Sequence, residues 1–399
     1  MFEEPTFLVQ MGHGSRKRAM NALDENYADG AILSPSNYPP QANEDLSSSI
    51  KDKDGIVLFD PQFYLPRTDK HREDLEKYDY FEEAGGEDFE TSILSSSSDL
   101  EPLCRNLVEI QDELEVDAYI APARFMESFS RGQVKDLLKT VELFHQKAEE
   151  SEEKPVFGSV SISESVITNK THRTFLLNAL VQLNVDGFYI TVEFDDENRY
   201  PLRNTSRIYS YLHFLRNLKK NDYEIITGFS NDIAHLTLGI GIDAFASGRY
   251  KNLKTFQTRR WIESDGFGTQ VPYYHSYKLL ADLRPEQDLD KLYQKDLLDL
   301  LDGGSTDADI ILDGEVAPSA VLDWSLTSSW NHYFWCCGKI ADEYTGLDRE
   351  ERFEEVENTL ENAKSFKEDL EDNHGIHLSI DEDRYQEWID AFNMIKAEM

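Results

Sequence analysis

The stretch "GIVLFDPQFYLPRT" (55–68) ends an apolar run on a carboxylate: Gly55 to Phe59 lead into Asp60, and Pro61 turns the chain. An apolar run followed by Asp-Pro reads as a strand entering a loop. At the carboxyl end of a parallel strand such a group can give or take a proton, whereas in an ordinary turn it only accepts backbone hydrogen bonds. Other chemically capable residues follow similar runs. "MGHGSRKR" (11–18) sets His13 between two glycines and adds Arg16, Lys17 and Arg18, suited to phosphate contact or to a basic first helical turn. "SPSNYPP" (34–40) offers Asn37 and Tyr38 ahead of two prolines that alone would make a rigid turn. Arg124 ends "DAYIAPAR" (117–124) and suits anchoring of a carboxylate or phosphate, or a structural ion pair. "SGRYKNLKTFQTRR" (247–260) carries Arg249, Lys251, Lys254, Arg259 and Arg260 without an acid, with Tyr250 and Phe256 interleaved. That pattern fits phosphate contact with base stacking, or ion pairs turned inward.

The elements that must position these residues are short apolar runs at 6–11, 30–35, 55–60, 117–122, 155–160, 186–191, 223–229 and 241–247. Between them lie stretches of helical period, such as 173–184 and 207–220. Eight near-continuous apolar strands alternating with helices predict a parallel sheet closed into a (β/α)8 barrel over residues 1–262. A polar segment at 68–100 reads as a mobile insertion or lid. Residues 263–345, including "SYKLLADL", are expected to be helices completing or flanking the barrel, and 346–399 an acidic helical extension. In that extension Phe353, Val356, Leu360 and Ala363 form a narrow apolar stripe, suited to core packing or to a partner helix, and hence to a homo-oligomer or protein complex.

Composition narrows the setting. Asp and Glu number 77 against 40 Lys and Arg in 399 residues, a net charge of −37 spread along the chain. Self-repulsion of that size suits screening at molar salt, as in a halophilic, archaeal cytoplasm, and disfavours casual nucleic-acid binding. Cys104, Cys336 and Cys337 supply neither a disulfide framework nor a metal-binding spacing. No basic leader precedes an apolar stretch, and no run of about 18 apolar residues occurs, so no membrane segment is expected. No strand end carries a His-x-His or a His and carboxylate cluster, which disfavours a metal-dependent barrel hydrolase.

Read in order, the strand ends resemble the tRNA-guanine transglycosylase family. "GAILSPSNYPP" is similar to that family's Leu-x-Asn-Thr-Tyr-His strand end, "LFDPQFY" to its Asp-Ser-Gly-Gly-Phe-Gln, "PVFGSVSIS" to Phe-Gly-Ile-Val-Gln-Gly-Gly and "VDGFYITVE" to Asp-Gly-Tyr-Ala-Ile-Gly-Gly. "GIGIDAFASGRYKN" resembles Gly-Val-Asp-Met-Phe-Asp-Cys-Val-x-Pro-Thr-Arg, and "SSWNHYFW" the later His-Asn-Leu-x-Tyr-Tyr helix. The resemblance implies a barrel that acts on the N-glycosidic bond of a nucleic acid or nucleoside and exchanges a purine for a 7-deazapurine. It places Asp60 on the proton-handling aspartate and Asn37, Tyr38 and Ser161 near the substrate, Ser161 standing where the family has a base-contacting Gln; His13, Gln62 and Arg124 are read beside them as further substrate-binding candidates. Ala246 takes the nucleophile's place, and Asp243, aligned with an earlier aspartate, substitutes only if the loop is re-formed. The family's zinc cysteines are missing and Trp330 stands where its His would be, so neither zinc nor another cofactor is expected. Two readings follow: a transglycosylase-like enzyme with Asp60 as acid and base, or a catalytically silent barrel binding nucleic acid or a purine within a larger assembly. Under the first, Asp60 should open into the same mouth as Arg249 and Lys251.

Overall fold

The computed structural model describes residues 1–65, 75–80, 97–194, 202–262, 271–301, 303–381 and 383–398. Most of the acidic segment 68–100 lies outside these residues. Eight parallel strands, β1 (Thr6–Gln10), β2 (Gly30–Leu33), β3 (Ile56–Phe59), β4 (Tyr119–Ile120), β5 (Val156–Ser163), β6 (Gly187–Glu193), β7 (Glu224–Thr227) and β8 (Ala244–Ser247), run in the order β3-β2-β1-β8-β7-β6-β5-β4. The two ends of that order meet at Asp117, whose backbone N–H donates to the Val57 carbonyl at 2.9 Å. The sheet is a (β/α)8 barrel, as the alternating runs predict. Helices α1 (Arg16–Asp24), α2 (Pro40–Lys51), α3 (Ser97–Glu113), α4 (Arg131–Glu149), α5 (Glu164–Thr168), α6 (Lys170–Leu180), α7 (Thr205–Lys219) and α8 (Ala234–Gly239) connect the strands.

Alternation along each strand divides the core in two. Leu8, Ile32, Leu58, Ile120, Phe157, Tyr189, Ile226 and Ala246 fill the barrel interior, while Phe7, Val9, Val57, Phe59 and Ile225 pack outward against the helices. The same parity carries Gln10, Ser34, Asp60, Ser161 and Thr191, all buried, to the carboxyl ends of the strands. The barrel thus has an apolar floor and a polar top.

Register is fixed at the opposite end by four carboxylates, each standing just before an even-numbered strand and accepting an N–H from the preceding odd one. Asp29 accepts from Phe7 at 2.8 Å, Asp117 from Val57 at 2.7 Å, Asp186 from Val156 at 2.7 Å and Asp243 from Ile225 at 2.7 Å. Asp243 also pairs with Lys219 Nζ at 2.5 Å. It is therefore a structural anchor on the floor of the barrel, a full strand length from Asp60, and the catalytic role allowed to it is corrected.

After β8 come α9 (Lys251–Lys254), α10 (Arg259–Ile262) and, from Tyr274, an antiparallel hairpin of β9 (Tyr274–Ser276) and β10 (Ala281–Leu283). A helix was expected over "SYKLLADL"; a run this short reads equally as either element, and here the chain turns at Leu280 with φ 46° and pairs His275 with Asp282 across the hairpin. Then follow α11 (Asp290–Tyr293), α12 (Thr306–Leu312), α13 (Leu326–Glu343), α14 (Arg349–Asp372) and α15 (Arg384–Lys396). Helix α13 covers β1 from outside, with the Phe334 ring 6.0 Å from Phe7, and so completes the shell. Helix α14 starts on a capping box of Asp348 and Glu351 and buries its stripe of Phe353, Val356, Leu360 and Ala363, Phe353 lying 4.9 Å from Phe392 of α15. The stripe is core. Helix α15 closes over α7, where Arg216 donates to the Ile395 carbonyl at 3.1 Å and Trp388 Nε1 to the Leu202 carbonyl at 3.0 Å.

Replacing Asp243 by Ala should lower the unfolding free energy in urea by about 1–3 kcal/mol, since it strips a charge-assisted bond from Ile225 N–H and leaves Lys219 unpaired. Ligand binding at the other end of the barrel should be retained. A large loss of activity with unchanged stability would contradict the anchoring role.

Candidate functional site

Asp60 follows β3 at an inward position and is 1 % exposed. Its Oδ1 accepts the Gln62 backbone N–H at 2.9 Å, and its Oδ2 accepts the hydroxyls of Tyr64 at 2.7 Å and Tyr189 at 3.4 Å. The single Tyr189 hydroxyl proton is shared with Gln10 Oε1, 3.2 Å away. Burial raises the Asp60 pKa to about 6 in spite of these donors and of the Arg260 charge. The carboxyl group therefore exchanges its proton close to neutral pH, and the turn hydrogen bond to Gln62 is made as well.

A layer of rings roofs this carboxylate. Tyr64 from the β3 loop, Phe125 from the β4 loop, Phe229 from the β7 loop and Phe256 and Trp261 after β8 form one buried cluster, with Phe256 4.9 Å from Tyr64 and 5.3 Å from both Phe229 and Trp261. Gln62 and Phe229 both hold a left-handed backbone, φ 52°, which bulky residues avoid unless their surroundings over-determine it. Gly228, just before Phe229, makes room for Tyr189: a Cβ there would lie 2.5 Å from the Tyr189 hydroxyl. At the same end of the barrel, Gln10 Nε2, Gln62 Nε2, Ser161 Oγ, Thr191 Oγ1 and, in the roof itself, Trp261 Nε1 are buried with no hydrogen-bond partner among the described residues. Buried polar atoms are normally satisfied, so this concentration marks a place for polar groups from elsewhere.

The residues singled out from the sequence separate into distinct environments. Gln62 and Ser161 belong to the mouth with Asp60. Tyr38 is a clamp: its hydroxyl accepts from Ser15 and Arg16 N–H groups at 3.0 and 3.2 Å and donates to the Gly12 carbonyl at 2.9 Å, fixing the β1–α1 loop. Asn37 braces its own turn through Ser34 and Ser36, at 2.8 and 3.1 Å. His13 is exposed on that loop. Arg124 lines a cavity of about 40 Å³ that also touches Ser161 and Asp136.

The basic stretch divides too. Arg260 is buried against Trp261, its guanidinium 5.1 Å from the ring, whereas Arg259 is exposed. Arg249 and Lys254, 6 % and 9 % exposed, turn into a cavity of about 210 Å³ between the β7 and β8 loops, the hairpin and α13, with Lys251 at its lining. Asp60 is not among the residues of that cavity, so the shared mouth expected for Asp60, Arg249 and Lys251 is corrected to two separate sites. Arg249 Nη1 and Lys254 Nζ both reach Asp282, at 3.2 and 3.0 Å. His275 links Asp282 to Asp232, each at 2.9 Å, and Arg384 reaches Asp232 at 3.1 Å. Burial works against both carboxylates, yet Arg249, Lys254 and His275 hold Asp282 well below its ordinary range, and His275 and Arg384 hold Asp232 at about 2. Burial lowers Lys254 to about 8 despite Asp282.

Sequence reasoning missed Tyr64, Tyr189 and the whole Asp232–His275–Asp282 chain. Parity along β6 would have placed Tyr189 inside, and a hairpin reading of "YYHSYKLLADL" would have paired His275 with Asp282. Among the described residues no group of His, Cys, Asp and Glu side chains converges as a metal site. No protein-family model matches the chain, and no curated protein matches it.

Asp60 offers a direct physical test. Because its folded pKa of about 6 lies above the ordinary 3.8, the folded state holds its proton more tightly, and this group costs stability as pH rises through that window. Relative to wild type, Asp60→Asn should therefore gain about 2–3 kcal/mol of unfolding free energy between pH 4 and pH 7. Parallel curves for the two proteins would show that Asp60 is not held in this environment.

Proposed function

We propose that the chain is a transglycosylase-like barrel that recognises a purine or 7-deazapurine base at its mouth, on a nucleoside or nucleic acid, and handles a proton of the base through Asp60. The observation that carries this reading is the Asp60 carboxyl: buried at the end of β3, held by two tyrosines, and raised to about 6. A group poised near the working pH is what general acid and base catalysis at an N-glycosidic bond requires. The flat, polar-edged shape of a base suits the surroundings. Rings of Tyr64, Phe256 and Trp261 can stack on its faces, and the unpartnered donors and acceptors of Gln10, Gln62, Ser161 and Thr191 can meet its edge.

The chemistry is narrower than full base exchange. Ala246 points into the barrel interior where a nucleophilic carboxylate would be needed, and Asp243 is engaged on the floor with Lys219 and Ile225. A covalent glycosyl-enzyme formed through either position is therefore not part of the proposal. Protonation of the leaving base, or deprotonation of an incoming one, is.

A silent, base-binding barrel is the second reading, favoured by one feature: the aromatic roof leaves Asp60 1 % exposed, so a ligand must displace rings to reach it. The two readings part in one experiment. Wild type and Asp60→Asn are titrated with 7-cyano-7-deazaguanine and guanine, and base release or incorporation is followed with radiolabelled RNA and DNA over pH 5–9. The enzyme reading expects binding by both proteins and turnover reduced roughly 10²–10⁴-fold in the variant, with a rate governed by an ionisation near pH 6. Binding without turnover in either protein selects the silent barrel, and absence of binding removes the base altogether.

A further inference from the structure

The second cavity gathers cations at one end. Arg249 and Lys254 both pair with the carboxylate of Asp282, and Arg384 pairs with Asp232 behind it. His275 bridges the two carboxylates, with Nδ1 2.9 Å from Asp282 and Nε2 2.9 Å from Asp232. Two buried cations on one carboxylate give the cavity a positive end in a chain whose net charge is −37.

The cations are also arranged around space. The cavity of about 210 Å³ is several times the roughly 30 Å³ of one water molecule, and it has a cationic end and an aromatic wall of Tyr250 and Trp330. Arg249 is held in place on three sides: Nε donates to Ser329 Oγ at 3.1 Å, Nη1 to Asp282 and Nη2 to the Tyr273 carbonyl at 3.0 Å. Lys254 is fixed by Asp282 and by the Tyr333 ring, 3.7 Å from its ammonium. Such restraint preorganises a guanidinium and an ammonium side by side, an arrangement that recognises a tetrahedral dianion. Because both are nearly enclosed, they meet the end of a molecule that enters the cavity and not a polymer backbone passing outside. The position, between the loops after the seventh and eighth strands, is one at which barrels of this fold frequently hold phosphate.

We propose that this cavity binds a dianionic phosphate group, with inorganic phosphate and the 5′-phosphate of a mononucleotide as its two sources. Arg249 and Lys254 hold the phosphoryl oxygens, Ser329 and Asn231 border them, and Tyr250 and Trp330 flank whatever the phosphate carries. The proposal does not depend on the reading of the barrel mouth. Lys254 faces Asp282, Asp232, Arg249, His275 and Tyr333, and with its pKa at about 8 the empty site loses one of its cations as pH rises past that point.

Calorimetric titration of the whole protein at constant ionic strength tests this, with inorganic phosphate, adenosine 5′-monophosphate and adenosine as probes. Phosphate and the monophosphate should bind at millimolar concentration or better, and affinity should fall about tenfold between pH 7 and pH 9 as Lys254 deprotonates. Tighter binding of the monophosphate names the nucleotide as the source, and equal binding names free phosphate. Lys254→Met should weaken both roughly 10–100-fold, and Ser329→Ala, a milder change that removes one restraint on Arg249 but no charge, should weaken them less. Asp60→Asn should leave them unchanged, so failure of this site and failure of the mouth are told apart. Absence of phosphate and monophosphate binding to the folded wild type overturns the proposal. So does adenosine binding as tightly as its monophosphate, or full phosphate affinity in a folded Lys254→Met variant by ³¹P line broadening.

Discussion

Strand register is the constraint on which everything else in this molecule rests. Side chains alternate across a strand, so a slip of one residue at β3 would exchange Asp60 for Phe59 in the barrel interior and turn the polar top into an apolar one. Parallel strands lack the tight turns that fix register in hairpins, and here the fixing is done by carboxylates. Asp29, Asp117, Asp186 and Asp243 tie each odd strand to the even strand that follows it in sequence, at four seams of the floor. The link at Asp117 matters most, because β4 is only two residues long and the Val57 contacts are what join the ends of the sheet. An acidic composition that reads as adaptation to solvent thus includes carboxylates with specific internal duties.

The top of the barrel shows two contrasting ways of keeping a carboxylate out of water. Among the described residues Asp60 has only neutral donors within hydrogen-bond reach, and the cost of burial appears as a raised pKa. Asp232 and Asp282 have charged partners, and their pKa values fall instead. One arrangement leaves a proton available near neutrality; the other leaves a fixed field. Removing one member of the charged set would strand its partner, a loss of about 3–5 kcal/mol for a buried pair. The cost of holding these charges is met by the hairpin and α15, elements that the barrel itself does not need for closure.

Much of this was legible in the sequence and some was not, for physical reasons. All eight strands could be read because a strand buried on both faces is a run of apolar residues, and "GIVLFD" announces both a strand and its terminal carboxylate. Asp60 could be placed at the mouth for the same reason. Its partners could not: Tyr64 and Tyr189 lie 4 and 129 residues away, and nothing in their local sequence distinguishes a hydroxyl aimed at a carboxylate from an aromatic in a core. Basic residues 249–260 were visible as a cluster, but whether a cation faces solvent or the interior depends on where the opposite charge lies, and Asp282 stands in the hairpin, 28 residues beyond Lys254. The helical reading of "SYKLLADL" failed because three-residue strands carry too little periodicity to register. The recurring aspartate before each even strand was present in the sequence throughout and goes unnoticed without the strand order.

Arg384 stands 152 residues beyond the Asp232 that it neutralises. On a ribosome adding about 5–20 residues per second, Asp232 and its loop exist for roughly 8–30 s before that arginine is made. All eight strands are synthesised before then, so the barrel can close while its charge network is still short of a cation. Synthesis therefore divides the molecule in time: a barrel able to form early, and a cavity whose electrostatics are set only when nearly the last helix arrives.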